Sequence, residues 1–180
     1  TKDSALLAQY ETVAFLVIKD TSIVFESYWE GYSEDATSSS FSMAKSIVSL
    51  LVGIAIDEGK IESVNDPVSK YLPELNDEQR KHITIKSLLT MSSGLEWNES
   101  YMNPFSVTTK AYYGKNLNQL ALKANRIKPV DEHFEYITAN PQLLSIIIKR
   151  TTGKTLSEYA SEKLWKPLGA EHAATWSLDA

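Results

Sequence analysis

The sequence holds one serine that is followed three positions later by a lysine, in Ser42-Met43-Ala44-Lys45. Residues three apart on a helix are neighbours on one face, so the lysine amine is expected beside the serine hydroxyl. An amine shielded from water can take the hydroxyl proton and turn the serine into a nucleophile, while a helix start adds a positive dipole end that favours the developing negative charge. The pattern therefore indicates acyl transfer. The alternative is a serine cap followed by a surface lysine, which is a common arrangement.

Tyr136 is the second candidate, because it lies just before a helix that we predict to begin at Asn140-Pro141. A tyrosine hydroxyl can relay a proton when a cation lies close to it, and Lys45 is that cation if the two segments meet. The alternative is that Tyr136 is one of nine tyrosines whose rings pack and whose hydroxyls stay wet. Spacing along the chain does not decide between the two.

Two further tyrosines, Tyr101 and Tyr112, are candidates for the aromatic wall of a substrate cleft. The alternative is that they pack within a long irregular loop, which we predict over residues 96–113. The three histidines show neither i,i+4 spacing nor clustered carboxylates, so we expect no metal site.

Composition narrows the classes of function. The chain has 180 residues and no cysteine, which excludes disulfides, thiolate metal sites and a cysteine nucleophile. Its 18 basic and 23 acidic residues give no basic surface for nucleic acid. The longest apolar stretch, Ile47 to Ile56, is about half of the roughly 20 residues that a membrane span needs. No signal peptide is visible at Thr1, and export after removal of a leader stays compatible with the sequence, so the compartment is open.

The pattern of apolar residues predicts two strands followed almost entirely by helices. Two β-rich segments separated by Asp20-Thr21 predict a hairpin, and a two-stranded ribbon is only marginally stable by itself. We therefore expect an incomplete sheet. The predicted elements are strands over 12–19 and 22–29 and helices from about 42 to 58, 84 to 91, 140 to 152 and 155 to 164.

Four segments together resemble the serine β-lactamase and penicillin-binding-protein superfamily, and most of all its class C β-lactamase-related hydrolases similar to 6-aminohexanoate-dimer hydrolases and esterases. The resemblance runs in order from about Ala14 to the last residue. The segments are Phe41 to Ser46, Thr84 to Leu95, Phe134 to Leu144 and Leu164 to Gly169.

The resemblance implies a β-lactamase/transpeptidase-like α/β (α+β) fold, an antiparallel sheet with a helical subdomain. It implies that Ser42 is the acylated nucleophile, that Lys45 is its proton partner and that Tyr136 begins the family's Tyr-x-Asn element. The third position of that element is Thr138, whose hydroxyl can bond a substrate carbonyl or Lys45 but lacks the paired donor and acceptor of an amide. No metal or organic cofactor is implied.

The family's third element, Lys-Thr-Gly or His-x-Gly on a late strand, has no counterpart here, because Gly153-Lys154-Thr155 lies between two predicted helices. Residues 1–180 are therefore expected to be the N-terminal and helical part of one domain, completed by a C-terminal segment. We expect a hydrolase for a small ester or amide. The alternatives are β-lactam or D-alanyl-D-alanine peptide hydrolysis and a non-catalytic fragment or binding module.

Overall fold

The computed structural model describes residues 2–177, with side chains from Leu6 onward. The chain divides into two compact units, residues 1–40 and 41–180. The first unit begins with α1 (Lys2–Gln9), which the sequence pattern did not predict.

The predicted hairpin is confirmed as β1 (Ala14–Lys19) paired antiparallel with β2 (Ser22–Tyr28). Asp20 in the turn has a φ of 55°, a left-handed conformation that aspartate tolerates. In the described part of the chain the sheet has these two strands and no more. Its large apolar side chains are exposed on both faces: Phe15, Leu16, Val17, Ile18, Ile23, Val24 and Phe25.

The second unit is helical and its core is built around one long helix, α6 (Ala139–Thr152), against which α2, α3 and α5 pack. Leu143 and Ile147 of α6 are completely buried. The other helices are α2 (Ala44–Asp57), α3 (Ile85–Leu89), α4 (Val107–Tyr113), α5 (Leu117–Leu122) and α7 (Leu156–Ala160), with 3₁₀ turns at Phe41–Met43, Val68–Lys70 and Pro73–Leu75 and a π turn at Ser161–Trp165.

Side-chain caps fix several helix starts where the sequence predicts them. The Thr84 hydroxyl accepts the Ser87 N–H at 3.0 Å, and Thr155 forms a capping box with Glu158. Gly153 ends α6 with a φ of 73°, as a left-handed C-cap requires. Gly153-Lys154-Thr155 is therefore the junction between two helices that we expected.

Three expectations are corrected. The loop predicted over 96–113 contains α4, whose start is capped by Ser106, and its few turns are too short to show clear periodicity. Asn140 is a buried residue of the first turn of α6, and the cap position belongs to Thr138. Helix α2, which its apolar residues on almost all sides predict to be well buried, leaves Leu50 54% exposed. Within residues 2–177 no helix combines the length and apolarity needed to cross a bilayer.

Candidate active site

The Ser42–Lys45 pair forms through local helical geometry. Ser42 lies in the 3₁₀ turn Phe41–Met43 that runs directly into α2, so the helix begins two residues later than Ser42. Its Oγ is 2.9 Å from Lys45 Nζ. Ser42 is exposed and Lys45 is half-buried. Phe41, directly before the serine, has a φ of 44°, a left-handed conformation that is uncommon for a bulky residue and is a form of local strain.

The structure brings Tyr136 to this pair. Lys45 Nζ lies 5.1 Å from the centroid of the Tyr136 ring, within the range of a cation–π contact. Tyr136 is 44% exposed. Ser42 and Lys45, which the spacing pairs, and Tyr136, which only the family resemblance relates to them, are therefore neighbours in space.

The segment that carries Tyr136 is fixed by residues 91–94, which we call the 91–94 turn. Glu135 directly precedes Tyr136, and its N–H donates to the Met91 carbonyl at 2.8 Å. The Ser93 hydroxyl donates to Asn140 Oδ1 at 2.6 Å, and both residues are buried. Tyr136 is therefore flanked on both sides by anchors to the same turn.

Gly94 allows this turn to approach the neighbouring chain very closely. Its φ is 69°, and a Cβ placed on it would be 2.3 Å from the carbonyl oxygen of Lys128. The Gly94 carbonyl accepts the N–H groups of Ile127 and Lys128 at 2.9 and 3.2 Å. A side chain at this position would push the two segments apart.

Thr138 is held by Glu99, a residue that the sequence analysis did not single out. Glu99 Oε2 accepts the backbone N–H of Thr138 at 3.1 Å, and Oε1 accepts its hydroxyl at 2.5 Å. Thr138 stands at the N-cap of α6 without a side-chain cap of its own, so the carboxylate satisfies a helix-end donor from outside the helix. A glutamate in an irregular loop has no spacing signal that would have revealed this role.

The candidate aromatic wall is linked to Thr138 through the same carboxylate. The Tyr101 hydroxyl donates to Glu99 Oε1 at 3.2 Å, and the Tyr101 and Tyr112 rings meet edge to face with centroids 5.7 Å apart. Burial and then the negative charge of Glu99 raise the pKa of Tyr101 to about 12. Both rings stay more than half exposed.

An open cleft of about 360 Å³ lies beside these groups, lined by Trp97, Glu99, Tyr136 and Ile137 among others. Glu135, which also lines it, is paired with Lys128 at 2.5 Å. Trp97, which also lines the cleft, is 5% exposed. Its buried Nε1 has no hydrogen-bond partner among the described residues.

The fold and this site define a class. The sequence pattern of the Beta-lactamase family matches residues 4–180, and the chain belongs to that family. It has the β-lactamase/transpeptidase-like fold, with the sheet not closed in the described residues.

The chain is similar to proteins with names of hydrolytic enzymes. A 6-aminohexanoate-dimer hydrolase of Paenarthrobacter ureafaciens is 30% identical over 178 residues, 93% of this chain and 45% of that protein. An Escherichia coli (strain K12) protein with the provisional name D-alanyl-D-alanine carboxypeptidase is 25% identical over 91% of this chain and 43% of that protein.

Among solved structures, a Bacillus anthracis protein provisionally named 6-aminohexanoate-dimer hydrolase superimposes with a TM-score of 0.78. The two are 24% identical over 90% of this chain and 46% of that one. The chain spans less than half the length of each of these relatives.

Proposed function

We propose that this β-lactamase-family hydrolase cleaves a small ester or linear amide through an acyl-enzyme on Ser42. The observation that carries the proposal is the 2.9 Å contact between Ser42 Oγ and Lys45 Nζ, at the start of a 14-residue helix. An adjacent amine activates a serine hydroxyl by taking its proton, and geometry of this kind is the first requirement for a general base.

The reaction has two halves. Ser42 Oγ attacks the carbonyl carbon while its proton passes to the Lys45 amine. The tetrahedral adduct then collapses, the bond to the leaving group breaks, and the departing alcohol or amine receives the proton from Lys45 by way of Tyr136. In the second half water attacks the carbonyl carbon of the Ser42 ester and gives a proton to Lys45 and Tyr136. The carboxylic acid product then departs as Ser42 Oγ takes that proton back.

The substrate class rests on two features. The relative named 6-aminohexanoate-dimer hydrolase is 30% identical, and its name specifies an aminohexanoate dimer as the compound that it hydrolyses. Thr138 replaces the asparagine of the family's Tyr-x-Asn element, which counts against efficient lactam hydrolysis because a hydroxyl lacks the paired donor and acceptor of an amide. Lactam or D-alanyl peptide hydrolysis is the second candidate, favoured by the name of the carboxypeptidase relative.

The proposal extends to the rest of the protein. The hairpin leaves Ile18, Ile23 and Val24 more than half exposed. The outer edge of a strand also presents a row of unpaired backbone N–H and C=O groups, which favours pairing with further strands. The relatives are more than twice as long as this chain. We propose that further C-terminal strands of the full-length protein pair with this hairpin and supply the missing third site element.

Intact-mass spectrometry tests both parts. The full-length protein is treated with a fluorophosphonate and with a penicillin, beside the variants Ser42→Ala and Ser46→Ala, the latter an exposed serine one helical turn further on. We expect one fluorophosphonate adduct, mapped to Ser42, in the wild-type and Ser46→Ala proteins and none in Ser42→Ala. Faster acylation by penicillin would favour the lactam candidate.

The contrary outcomes are equally definite. A folded full-length protein with no adduct at Ser42 from either reagent refutes the mechanism and leaves the non-catalytic module. If residues 1–180 alone react as fast as the full-length protein, the proposed C-terminal completion of the site is wrong.

A further inference from the structure

We infer that Glu99 fixes the direction of the Thr138 hydroxyl, so that Thr138 offers the substrate a hydrogen-bond acceptor and selects amides that carry an N–H over esters. This inference rests on the proposed function and deepens it. It concerns a residue that acts through another, so Glu99 is a positioning residue and Thr138 is the group that meets the substrate.

Glu99 is the acceptor in each of its described side-chain hydrogen bonds. Its carboxylate accepts three hydrogen bonds, from the Thr138 N–H at 3.1 Å, the Thr138 hydroxyl at 2.5 Å and the Tyr101 hydroxyl at 3.2 Å. An ionised carboxylate has no proton to donate. The direction of the bond between the two side chains is therefore fixed: the threonine donates and the glutamate accepts.

A threonine hydroxyl has one proton and two lone pairs. Because the proton is committed to Glu99 in a bond to a charged acceptor, which is the stronger kind, only the lone pairs are left for another partner. The sequence allowed Thr138 to bond either a substrate carbonyl or a donor such as Lys45. Because of the contact with Glu99, Thr138 cannot donate to a substrate carbonyl, but it can still accept a hydrogen bond from a donor.

The backbone contact makes this arrangement rigid. Glu99 also accepts the Thr138 N–H at the N-cap of α6, so the carboxylate is held by the helix end and cannot follow the hydroxyl if it rotates. Thr138 stands two residues after Tyr136, which faces Lys45. In this position a substrate N–H gains a partner at Thr138, whereas an ester oxygen at the same place meets a second acceptor and gains nothing.

The test compares two substrates that differ at one atom, a p-nitroanilide and a p-nitrophenyl ester of the same short acyl group, with the full-length protein. Glu99→Gln keeps the size of the side chain, but its NH₂ group can donate to Thr138 and free the hydroxyl proton. We expect Glu99→Gln to lower the ratio of anilide to ester kcat/KM by about tenfold, the worth of about one hydrogen bond. The matched control is Glu171→Gln, an exposed glutamate outside the cleft, which should leave the ratio unchanged.

Variants of Thr138 keep the inference testable if Glu99→Gln does not fold. Thr138→Val, which has the same shape and no hydroxyl, is expected to lower the anilide to ester ratio to the same extent, and Thr138→Ser to restore it. An equal loss on both substrates in Glu99→Gln and Thr138→Val means that the contact only supports the fold, and it overturns the inference. So does a wild-type protein that cleaves the ester but not the anilide.

The same assay separates this inference from the function on which it rests. If the wild-type protein turns over neither substrate and Ser42 is not labelled, the acyl-enzyme proposal has failed. If Ser42 is labelled and both substrates are cleaved with a ratio that none of these variants alters, only the role of Glu99 is wrong.

Discussion

The two halves of the candidate site are built in different ways. Ser42 and Lys45 are three residues apart and meet because a 3₁₀ turn continues into α2. Tyr136 and Thr138 are placed by contacts from distant parts of the chain, namely the 91–94 turn and Glu99. One half depends on the spacing of helical residues and the other on tertiary structure.

This difference has a physical consequence. Helical spacing brings Lys45 to Ser42 at little cost, since the backbone that joins them is already ordered by α2. The Tyr136 half depends on a buried hydrogen bond, on a close approach at Gly94 and on a carboxylate at a helix end. A single substitution can remove each of these contacts. We therefore expect substitutions in the long-range half to lower both activity and stability, and substitutions in the local half to lower activity alone.

The largest effect is expected from the local half. Lys45→Ala removes the amine that is 2.9 Å from Ser42 Oγ and should lower kcat/KM for an ester by roughly 10²- to 10⁴-fold, the range for loss of a general base. The free energy of unfolding should stay within about 0.5 kcal/mol of wild type, because the side chain is only half-buried. Ester kinetics and urea denaturation measure the two quantities.

Lys86→Ala is the matched control, an exposed lysine on α3, and it should leave both quantities unchanged. Ester hydrolysis by Lys45→Ala at the wild-type rate would contradict the local half of the comparison.

A smaller and coupled effect is expected from the long-range half. Asn140→Leu keeps the branching at Cγ but leaves the buried Ser93 hydroxyl without the acceptor that it has at 2.6 Å. We expect a loss of about 1–3 kcal/mol in the free energy of unfolding, the cost of an unsatisfied buried polar group. The segment that carries Tyr136 loses one anchor, so kcat/KM should fall as well, by about tenfold.

The double variant Ser93→Ala/Asn140→Leu separates the hydrogen bond from the packing. Removing both polar partners should recover much of the lost stability, because no buried group is then left unpaired. If Asn140→Leu alone is as stable and active as wild type, the 91–94 turn does not position Tyr136.

The sequence predicted most reliably what depends on neighbours in the chain. The hairpin, the helix starts at Thr84 and Thr155 and the end of α6 before Gly153 follow from local turn and cap chemistry. The start of α6 at Ala139 was placed one residue too late, at Asn140, since a proline at the first turn looks like a boundary. The short helix α4 was missed, because seven residues show too little periodicity.

The site residues show the same difference between local and long-range contacts. Ser42 and Lys45 follow from spacing, whereas the approach of Tyr136 to Lys45 was available only through family resemblance. Glu99 was not predicted at all, because nothing in its local sequence distinguishes it from a solvated acid. Its role exists only where the loop that carries it meets the end of α6, and that meeting is decided by packing of the whole helical unit.

The smallest effect tests whether sequence distance alone makes a contact important. Arg150, in the last turn of α6, binds Glu74 of a distant 3₁₀ turn through two bonds of 2.9 and 2.6 Å. The guanidinium lowers the pKa of Glu74 from 4.5 to about 2. Because the folded pKa lies below that of the unfolded chain, the pair stabilises the protein above about pH 4.5 and this contribution is lost as the pH falls toward 2.

Both side chains are more than a third exposed, so screening by water reduces the gain. Glu74→Gln should cost about 0.5 kcal/mol in the free energy of unfolding at pH 7, and the difference from wild type should shrink steadily between pH 4.5 and pH 2, as measured by urea denaturation. Ester kinetics at pH 7 should not change. A tenfold loss of activity in Glu74→Gln would mean that the site responds to long-range contacts in general, and that the 91–94 turn and Glu99 have no special place among them.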